Sequence, residues 1–596
     1  MQEYLKTKTN ILRSNVKESF VRGTSAFLYH MRNVTKKLLF ISLSLFLTGL
    51  SYGQTFDRKA FEQTIHKGIE KAYAASVRIW GIDSATKRQN SAQFSGVVVD
   101  AAGHILTAAH AIIPGKRYKV IFTDGKEYTA EGLGKMGFEP KTGRPDAAMI
   151  KIIEKGIWPI AEMGWSYSLK VNEPCISIAY PTTLNQPLPS IRIGRISNPL
   201  TAFGFIQSTC KMEPGDSGGP LFDYMGRVIG LHSRIDKLED INYEIPVDTY
   251  IKYWTALTVA EDYKAYPTLE DVIKIDPLAT NIITINELEN LSPVFSKLNT
   301  KFEGASVVVK SKLKGQPQQI LGTVLLLNGK AFKNVTNDGS ILLSKNSMIG
   351  NDIVVELSGG ELIKASVIAR DKENDLVLLK VAKKLKQGLK LSPADTVAVN
   401  FKDLGRFLIS PLTLKDTRIS TLSSMYFNQP RKFSSGYFGA SANFKNGQII
   451  INRINPGSPA EVSQLQLEDQ ITGINGTPID KPEQYGAELM KYAPGDTITI
   501  QGIRAGTTYN INVALTKVPA RPVVHPADQF DGGKSFRLDG FDRVFAHDAI
   551  IKPYECGGPV FDADGKFYGI NIARFSRTSC LAISSKAIYE FVLRSL

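Results

Sequence analysis

The chain has 596 residues, of which 43% are hydrophobic and 22% charged, and its formal net charge is +15. This length exceeds what one hydrophobic core organises and predicts about three or four domains, while the composition excludes a largely disordered chain. No dense Lys/Arg stripe with interleaved aromatic residues accompanies the positive charge, so we predict no nucleic-acid partner.

Residues 31–53 have the pattern of a secretory signal peptide. The segment MRNVTKKLLFISLSLFLTGLSYG begins at Met31 with basic residues, continues with an apolar run from Leu38 to Leu50 and ends with the cleavage-site pattern Ser51-Tyr52-Gly53. The run is short for a membrane span, although an uncleaved N-terminal anchor is the alternative. Residues 1–53 hold eight Lys and Arg against two Asp and Glu, and so supply +6 of the formal charge. We therefore predict an exported protein, periplasmic or secreted, that starts at Met31.

The four cysteines do not define a scaffold or a metal site. Export permits disulfides, but four cysteines in so long a chain are too few for a disulfide-based fold. Three pairings are possible, and the sequence does not choose among them. No cluster has metal-ligand spacing, so we predict no metal and no other cofactor. The four residues are Cys175, Cys210, Cys556 and Cys580.

An internal repeat organises the rest of the chain. Short apolar runs rich in Val and Ile, separated by Gly, Pro and Asn-Gly, predict mostly β structure. DAAGHILTAAHAII at 100–113 resembles TNDGSILLSKNSMI at 336–349, and KMEPGDSGGPLFDYMGRVIGLHSR at 211–234 resembles IKPYECGGPVFDADGKFYGINIAR at 551–574. Each copy has the same order of β segments closed by a short helix, which indicates two related domains.

The second copy contains an insertion. Asp146 and Ser217 are 71 residues apart in the first copy, whereas Asp375 and Cys556 are 181 apart in the second. The extra sequence reads as strand, strand, short helix, strand pair, helix and strand pair. We therefore divide the chain into an N-terminal extension with signal peptide (1–53), the first copy (54–258), a linker (259–300), the first part of the second copy (301–431), the inserted domain (432–520) and the second part of the second copy (521–596).

The first copy carries the residues of a nucleophilic triad. TAAH contains His110, PDAA contains Asp146, and GDSGGP contains Ser217. A serine hydroxyl is a weak nucleophile until an imidazole accepts its proton, and a buried carboxylate orients that imidazole. The N–H groups of Gly215 and Ser217 are placed to bind the oxyanion that forms on a peptide carbonyl. These motifs predict peptide-bond hydrolysis.

The three motifs, in this order, resemble trypsin-like serine proteases, and most closely the HtrA family, over about residues 75–256. The resemblance implies a mostly β fold with two chymotrypsin-like double β-barrel domains, and an endopeptidase that hydrolyses unfolded or damaged proteins without a cofactor. HtrA enzymes usually have Asn where this chain has Asp216, and the sequence does not identify a partner for this carboxylate. HtrA relatives often form trimers, but the tandem copy could occupy the same surfaces, so the oligomeric state stays open.

The inserted segment resembles a PDZ domain of the bacterial kind. Tyr437, Phe438, Gly439 and Ala440 match its binding loop, and NPGSPAE and EDQITGINGTPI match later elements. The resemblance implies that this loop binds peptide C-termini through backbone N–H groups, with the peptide added to the sheet as a strand. The pair Glu468–Asp469 departs from the usual Gly-Asp. An unrelated small β domain is the alternative.

Two further residues suggest a substrate preference. His232 falls on the strand that lines the primary pocket in this superfamily, and glutamyl endopeptidases resemble the chain by carrying a His there. Lys211, six residues before Ser217, matches the pocket base of trypsin-like enzymes. The resemblance implies a preference for Glu or Asp before the scissile bond, and an ordinary histidine within a strand is the alternative.

The second copy lacks two members of the triad. In the sequence match, Asn346 stands for His110 and Cys556 for Ser217, and only Asp375 is retained. Because loss of the base alone costs about 10⁶-fold in rate, we predict a pseudo-protease kept for packing or peptide contact. The expected partners are polypeptide substrates and peptide C-termini. The alternative function is a peptide-binding or chaperone-like scaffold.

Overall fold

The computed structural model describes residues 56–269, 274–327, 332, 339–357, 359–413, 416–519 and 525–596. The predicted signal peptide and the extension before it lie outside these residues. Contacts group the chain into Met1–Arg58, of which residues 56–58 are described, and Lys59–Leu596, which contains the domains below. In the described ranges no helix has the length and apolarity needed to cross a membrane.

The first half of the protein, residues 76–257, begins with a β-barrel. Its antiparallel strands follow the closed order β1-β4-β5-β6-β3-β2. Inward and outward positions alternate along β4, where Tyr118 and Val120 are buried between half-buried neighbours, as the two-residue period of a strand requires. The strands are β1 (Ser76–Gly81), β2 (Phe94–Val98), β3 (His104–Ala108), β4 (Arg117–Ile121), β5 (Glu127–Met136) and β6 (Ala147–Ile152).

A second closed barrel follows and has the equivalent order, β7-β10-β11-β12-β9-β8. Two short helices, α2 (Val247–Lys252) and α3 (Trp254–Leu257), come directly after it, and β13 (Asp262–Tyr263) then pairs in parallel with β5. The strands of this barrel are β7 (Pro174–Ala179), β8 (Ser190–Asn198), β9 (Ile206–Ser208), β10 (Pro220–Asp223), β11 (Val228–Ile235) and β12 (Asn242–Pro246).

The second half, residues 306–596, repeats this strand order. Strands β14–β19 form a barrel ordered β14-β17-β18-β19-β16-β15, with β20 beside β15. A second sheet runs β22-β21-β31-β32-β33-β30-β23, and a bridge from Leu422, next to β22, to His547 of β30 closes it. The strands are β14 (Ser306–Leu313), β15 (Gln316–Leu327), β16 (Ile341–Lys345), β17 (Asn351–Glu356), β18 (Leu362–Asp371), β19 (Leu376–Val381), β20 (Leu389–Leu391), β21 (Phe407–Pro411), β22 (Thr417–Thr421), β23 (Phe427–Gln429), β30 (Phe541–His547), β31 (Pro559–Asp562), β32 (Phe567–Arg574) and β33 (Cys580–Ser584).

A small sheet is inserted between β23 and β30. Its order is β24-β25-β26-β28-β29, which leaves β24 at an edge, and β27 pairs with β26. Its elements are β24 (Ala440–Lys445), β25 (Gln448–Ile454), α5 (Pro459–Val462), β26 (Gln470–Ile474), β27 (Thr477–Pro478), α6 (Pro482–Leu489), β28 (Thr497–Arg504) and β29 (Thr507–Ala514). The expectation of a mostly β protein is confirmed.

Three further helices flank the barrels. Helix α1 (Arg58–Ala72), which the sequence analysis did not single out, buries Ile65 and Ile69 and packs Phe61 against Phe407 with ring centroids 5.9 Å apart. Helix α4 (Ser292–Lys301) precedes the second half, and α7 (Ser585–Ser595) ends it. Helix α1 therefore joins an N-terminal segment to the second half of the chain.

Candidate active site

Strand pairing brings His110 and Asp146 together. The residues preceding His110 and following Asp146 are neighbours, because Ala108 of β3 pairs with Ala147 of β6. The His110 N–H donates to Asp146 Oδ1 at 2.9 Å, and His110 Nδ1 lies 2.6 Å from Asp146 Oδ2. Asp146 is buried, whereas the His110 side chain is 49% exposed. The carboxylate therefore fixes the ring and leaves Nε2 facing the open side.

Ser217 borders the same cavity as His110, which has a volume of about 560 Å³. No hydrogen bond joins the Ser217 hydroxyl to the imidazole among the described contacts, as is common before a substrate closes a site. Ser233 Oγ donates to Asp146 Oδ2 at 2.7 Å and so occupies a second lone pair of the carboxylate. A larger cavity, of about 1000 Å³, lies in the second half and has none of these residues in its wall.

The turn before Ser217 requires glycine. Gly215 has φ 102°, and a Cβ there would lie 2.4 Å from the backbone nitrogen of Thr182. In the described part of the chain, no acceptor is paired with the N–H groups of Gly215 and Ser217. These two donors are consequently available to an oxyanion formed on a carbonyl beside Ser217.

Asp216 is paired with an internal arginine. Arg192 Nη1, on β8, lies 2.7 Å from Asp216 Oδ2, and both side chains are 1% exposed. The N–H of Glu213 also donates to Oδ2. Burial raises the pKa of Asp216 to about 6, against the lowering effect of Arg192. The partner that the sequence left open is therefore a fixed cation of the same chain.

The two residues proposed for an acidic pocket do not reach the cavity. His232 is fully buried, with Nε2 2.6 Å from Ser177 Oγ, and Lys211 Nζ donates to the carbonyl of Asp548 in the second half. Burial lowers the pKa of His232 to about 3, and the charge of Arg192 adds to this effect. The side chain is thus neutral at pH 7, so the expected pair of cations beside Ser217 is not formed.

His232 should make folding stability depend on pH. The folded state keeps it neutral, but the unfolded chain binds a proton below about pH 6.5, so stability is lost as pH falls from about 6.5 towards 3. We expect His232→Asn to reduce this loss by up to about 1.4 kcal/mol per pH unit. Urea midpoints at pH 7 and 5 measure it, with exposed His525 changed to Asn as control. An unchanged pH difference would contradict the assignment.

Contacts in the second half correct one position of the sequence match. Ser347 N and Oγ donate to Asp375 Oδ1 and Oδ2 at 2.6 and 2.8 Å, as His110 N and Nδ1 contact Asp146. Ser347, and not Asn346, therefore occupies the position of His110. In the first half Ala108 pairs with Ala147, and the equivalent pair in the second half is Lys345 with Leu376. The strand pairing therefore shifts the sequence alignment by one residue.

Cys556 does correspond to Ser217, and its surroundings are closed. The following glycine N–H donates to Asn571 O at 2.7 Å, as that of Gly218 donates to His232 O at 2.8 Å. Cys556 is fully buried, and burial raises the pKa of its thiol. Lys345 Nζ lies 2.8 Å from Asp375 Oδ2 and donates to two backbone carbonyls. Its ammonium is therefore already satisfied within the protein.

Three arginines, each with a hydrogen bond to the other half, are the largest fully buried side chains: Arg192, Arg574 and Arg577. Arg577 donates to the carbonyls of Asp236 and Leu238 at 2.7 and 2.6 Å. These residues follow Ile235, which borders the cavity of Ser217. Arg574 Nη2 lies 2.9 Å from Glu239 Oε2. The second half thereby holds a loop adjacent to the candidate active site.

The loop of the inserted domain has unpaired backbone donors. Within the described structure no acceptor takes the N–H of Phe438 or Gly439, whereas their carbonyls accept from Ala460 and Asn455. Gly439 has φ 86°. The unusual Glu468 adopts φ 68°, the left-handed region in which glycine is the common residue. Glu468 therefore adopts the backbone conformation that glycine would have at this position of the PDZ pattern.

All four cysteines are buried free thiols. The Sγ atoms of Cys175 and Cys210 are 3.7 Å apart. Among the described residues, no group of His, Cys, Asp and Glu side chains has the arrangement of a metal site.

Some functional contacts escaped the sequence analysis. Arg192 lies between Ile191 and Ile193 in the buried part of β8, and such a buried charge is itself a signal for a partner. Ser233 follows His232 directly, but only the structure shows that its hydroxyl reaches Asp146. The sequence around Arg577 does not indicate its contacts, since its acceptors are more than 300 residues away along the chain.

Comparison with known proteins agrees with this architecture. A trypsin-like peptidase domain matches residues 94–231, and a PDZ domain matches residues 436–515. The chain is 31% identical over 449 residues to the "Probable periplasmic serine endoprotease DegP-like" of Pseudomonas putida (strain GB-1), covering 72% of this chain and 81% of that protein. The protein of the same name from Hahella chejuensis is 26% identical over 429 residues, which cover 69% of this chain and 78% of the relative.

The family assignment depends on these sequence matches. The solved structure "HtrA-type protease AlgW with tripeptide" aligns with 77% of this chain and 99% of its own at 15% identity, with a TM-score of 0.28, which is too low to support an argument. The two domain matches, by contrast, identify a peptidase domain and a PDZ domain in this chain, and the Pseudomonas putida relative is covered over 81% of its length. The chain belongs to the DegP-like, HtrA-type family of serine endopeptidases.

Proposed function

We propose that the first half hydrolyses peptide bonds through Ser217, with His110 as general base and Asp146 as the group that orients it. The observation that carries this proposal is the contact of Asp146 with His110 at the wall of the cavity that also contains Ser217. The unpaired N–H groups of Gly215 and Ser217 support an oxyanion site. The Ser217 oxygen attacks the carbonyl carbon while His110 accepts its proton, and the imidazolium then gives this proton to the leaving amine as the C–N bond breaks. Water, activated by the same imidazole, hydrolyses the resulting acyl-enzyme.

A serine-directed fluorophosphonate tests the proposal, because it reacts with a serine activated by a base. We expect one label per chain, on Ser217. Absence of a label would instead favour the peptide-binding or chaperone-like alternative, in which the second half and the PDZ domain provide the function.

The substrates we propose are unfolded or damaged polypeptides outside the cytoplasm. The names of the two DegP-like relatives, which describe periplasmic proteins, support this location. We also propose that the substrates carry Glu or Asp before the scissile bond. Lys211 and His232, which suggested this preference in the sequence, do not reach the cavity, so the proposal depends on a different cation.

We propose that residues 301–431 and 521–596 are a degenerate protease-like domain around the PDZ domain at 432–520. The shared strand order supports this division. A serine hydroxyl at Ser347 is not a base near neutral pH, and the thiol of Cys556 is buried with a raised pKa. The contacts of Arg577 with the first half support a structural role for this domain.

We propose that the loop from Tyr437 to Ala440 binds a peptide carboxylate, with the peptide beside edge strand β24.

An apolar peptide with a free C-terminus should bind at least about tenfold more tightly than its amide, because charge-assisted hydrogen bonds are lost in the amide. Gly439→Ala should remove the difference, since a Cβ there would lie 2.1 Å from Ser458 Cβ. Gly447→Ala is the matched control, with φ 79° and nothing within 4 Å. Equal affinity for both peptides would contradict the proposal.

A further inference from the structure

Arg234 brings a cation into the cavity of Ser217. It follows Ser233 on β11, and its side chain borders the cavity that contains His110. The guanidinium carbon lies 3.6 Å from the ring centroid of Phe138 and 5.1 Å from that of Phe205. The two aromatic rings therefore support the guanidinium group and limit its orientations.

The guanidinium has no anionic partner in the described structure. Arg234 Nε is buried without any hydrogen-bond acceptor. Burial lowers the pKa of Arg234, and the negative charge of Asp146 partly offsets this effect. The oxygens of Asp146 already accept from His110 and Ser233. Because an arginine stays protonated in proteins, Arg234 is a partly desolvated charge that no described anion contacts through a hydrogen bond or ion pair.

The acidic residue in the wall of this cavity, Glu213, is engaged elsewhere. Glu213 borders the same cavity, but its Oε1 accepts the hydroxyl of Thr183 and its backbone N–H donates to Asp216. Both groups hold Glu213 at the turn before Ser217. An anion that enters the cavity would consequently find donors at Arg234 that no protein group occupies.

We propose that Arg234 binds the side-chain carboxylate of a substrate Asp or Glu close to the scissile bond. This inference rests on the proposed function of Ser217. A carboxylate matches the planar array of guanidinium donors, and the aromatic surroundings strengthen the pair by excluding water. Arg234 takes the role that the sequence analysis gave to Lys211 and His232, whose side chains lie outside this cavity.

The test uses peptide pairs that share one cleavable bond and differ by Glu against Gln at one position. We expect kcat/KM in the wild type to favour Glu by roughly 10- to 100-fold at one position near the cut. Arg234→Gln should remove this preference, and Arg234→Glu should replace it by a preference for Lys. A ratio of two substrates cancels any general loss of activity in the variants. Each peptide is prepared with a free and an amidated C-terminus, which separates side-chain recognition from recognition of a terminal carboxylate.

Lys211→Gln is the comparison variant, and it should keep the preference for Glu. A preference that survives in Arg234→Gln, disappears in Lys211→Gln or depends on the free C-terminus would overturn the inference. So would the absence of any position at which the wild type favours Glu. These outcomes are distinct from a failure of the proposed function, in which the wild type would not react with the fluorophosphonate.

Discussion

Substituting Ser217 by Ala is expected to lower the hydrolysis of an unfolded protein about 10⁶-fold, because the attacking oxygen is removed while the oxyanion donors and substrate contacts remain. The contacts of His110 with Asp146 do not involve the Ser217 side chain, so the variant should fold normally. Fluorogenic casein measures the rate, and the fluorophosphonate label should disappear at the same time.

The matched changes are at Cys556, the corresponding residue of the second half. Cys556→Ala should leave the rate of casein hydrolysis unchanged. Cys556→Ser should not create a second labelled serine, since the nearest equivalent of the base is the hydroxyl of Ser347. Activity that persists in Ser217→Ala and vanishes in Cys556→Ala would transfer catalysis to the second half.

Arg192→Met should produce the second largest effect. Removing the guanidinium leaves the buried carboxylate of Asp216 without its counter-charge, which typically costs about 3–5 kcal/mol. Asp216 adjoins Ser217, and its Oδ2 also accepts the Glu213 N–H, so the turn that carries the oxyanion donors should rearrange. We expect kcat/KM to fall about 100-fold or more, in line with the loss of an oxyanion donor.

Arg195→Met is the control for this change. Arg195 lies on the same strand, β8, but its guanidinium contacts Asn172 and not Asp216. Urea unfolding and casein hydrolysis should both be close to the wild type. An Arg192→Met variant with normal activity would show that the turn at Ser217 keeps its conformation without an internal cation.

Local motifs predicted which side chains lie together at the cavity better than they predicted the contacts around them. His110, Asp146 and Ser217 could be singled out from the sequence because each lies in a short motif. The backbone geometry of such a motif is determined locally, as the positive φ of Gly215 illustrates. The loop around Gly439 was readable for the same reason. Such motifs indicate the chemistry of a site, but they do not show which distant side chain pairs with a buried charge.

The misassigned residues depended on long-range register and burial. Asn346 was matched to His110 because the alignment followed sequence similarity, whereas β16 pairs with β19 one residue out of step. His232 was placed in a pocket although its side chain turns into the barrel towards Ser177. Arg234, two residues later, borders the cavity. On a regular strand the two side chains would point to the same face, but a register shift lies between them. Neither the strand register nor the direction of these side chains follows from residue identity alone.

The contact of Arg577 with the first half also has a temporal consequence. Asp236 and Arg577 are separated by 341 residues, so a ribosome that adds about 5–20 residues per second completes Arg577 roughly 20–70 s after the loop it supports. Until then, the carbonyls of Asp236 and Leu238 lack these donors, beside a cavity that already contains Ser217. We therefore expect the loop beside Ser217 to reach its final conformation only after Arg577 has been synthesised and the second half has folded.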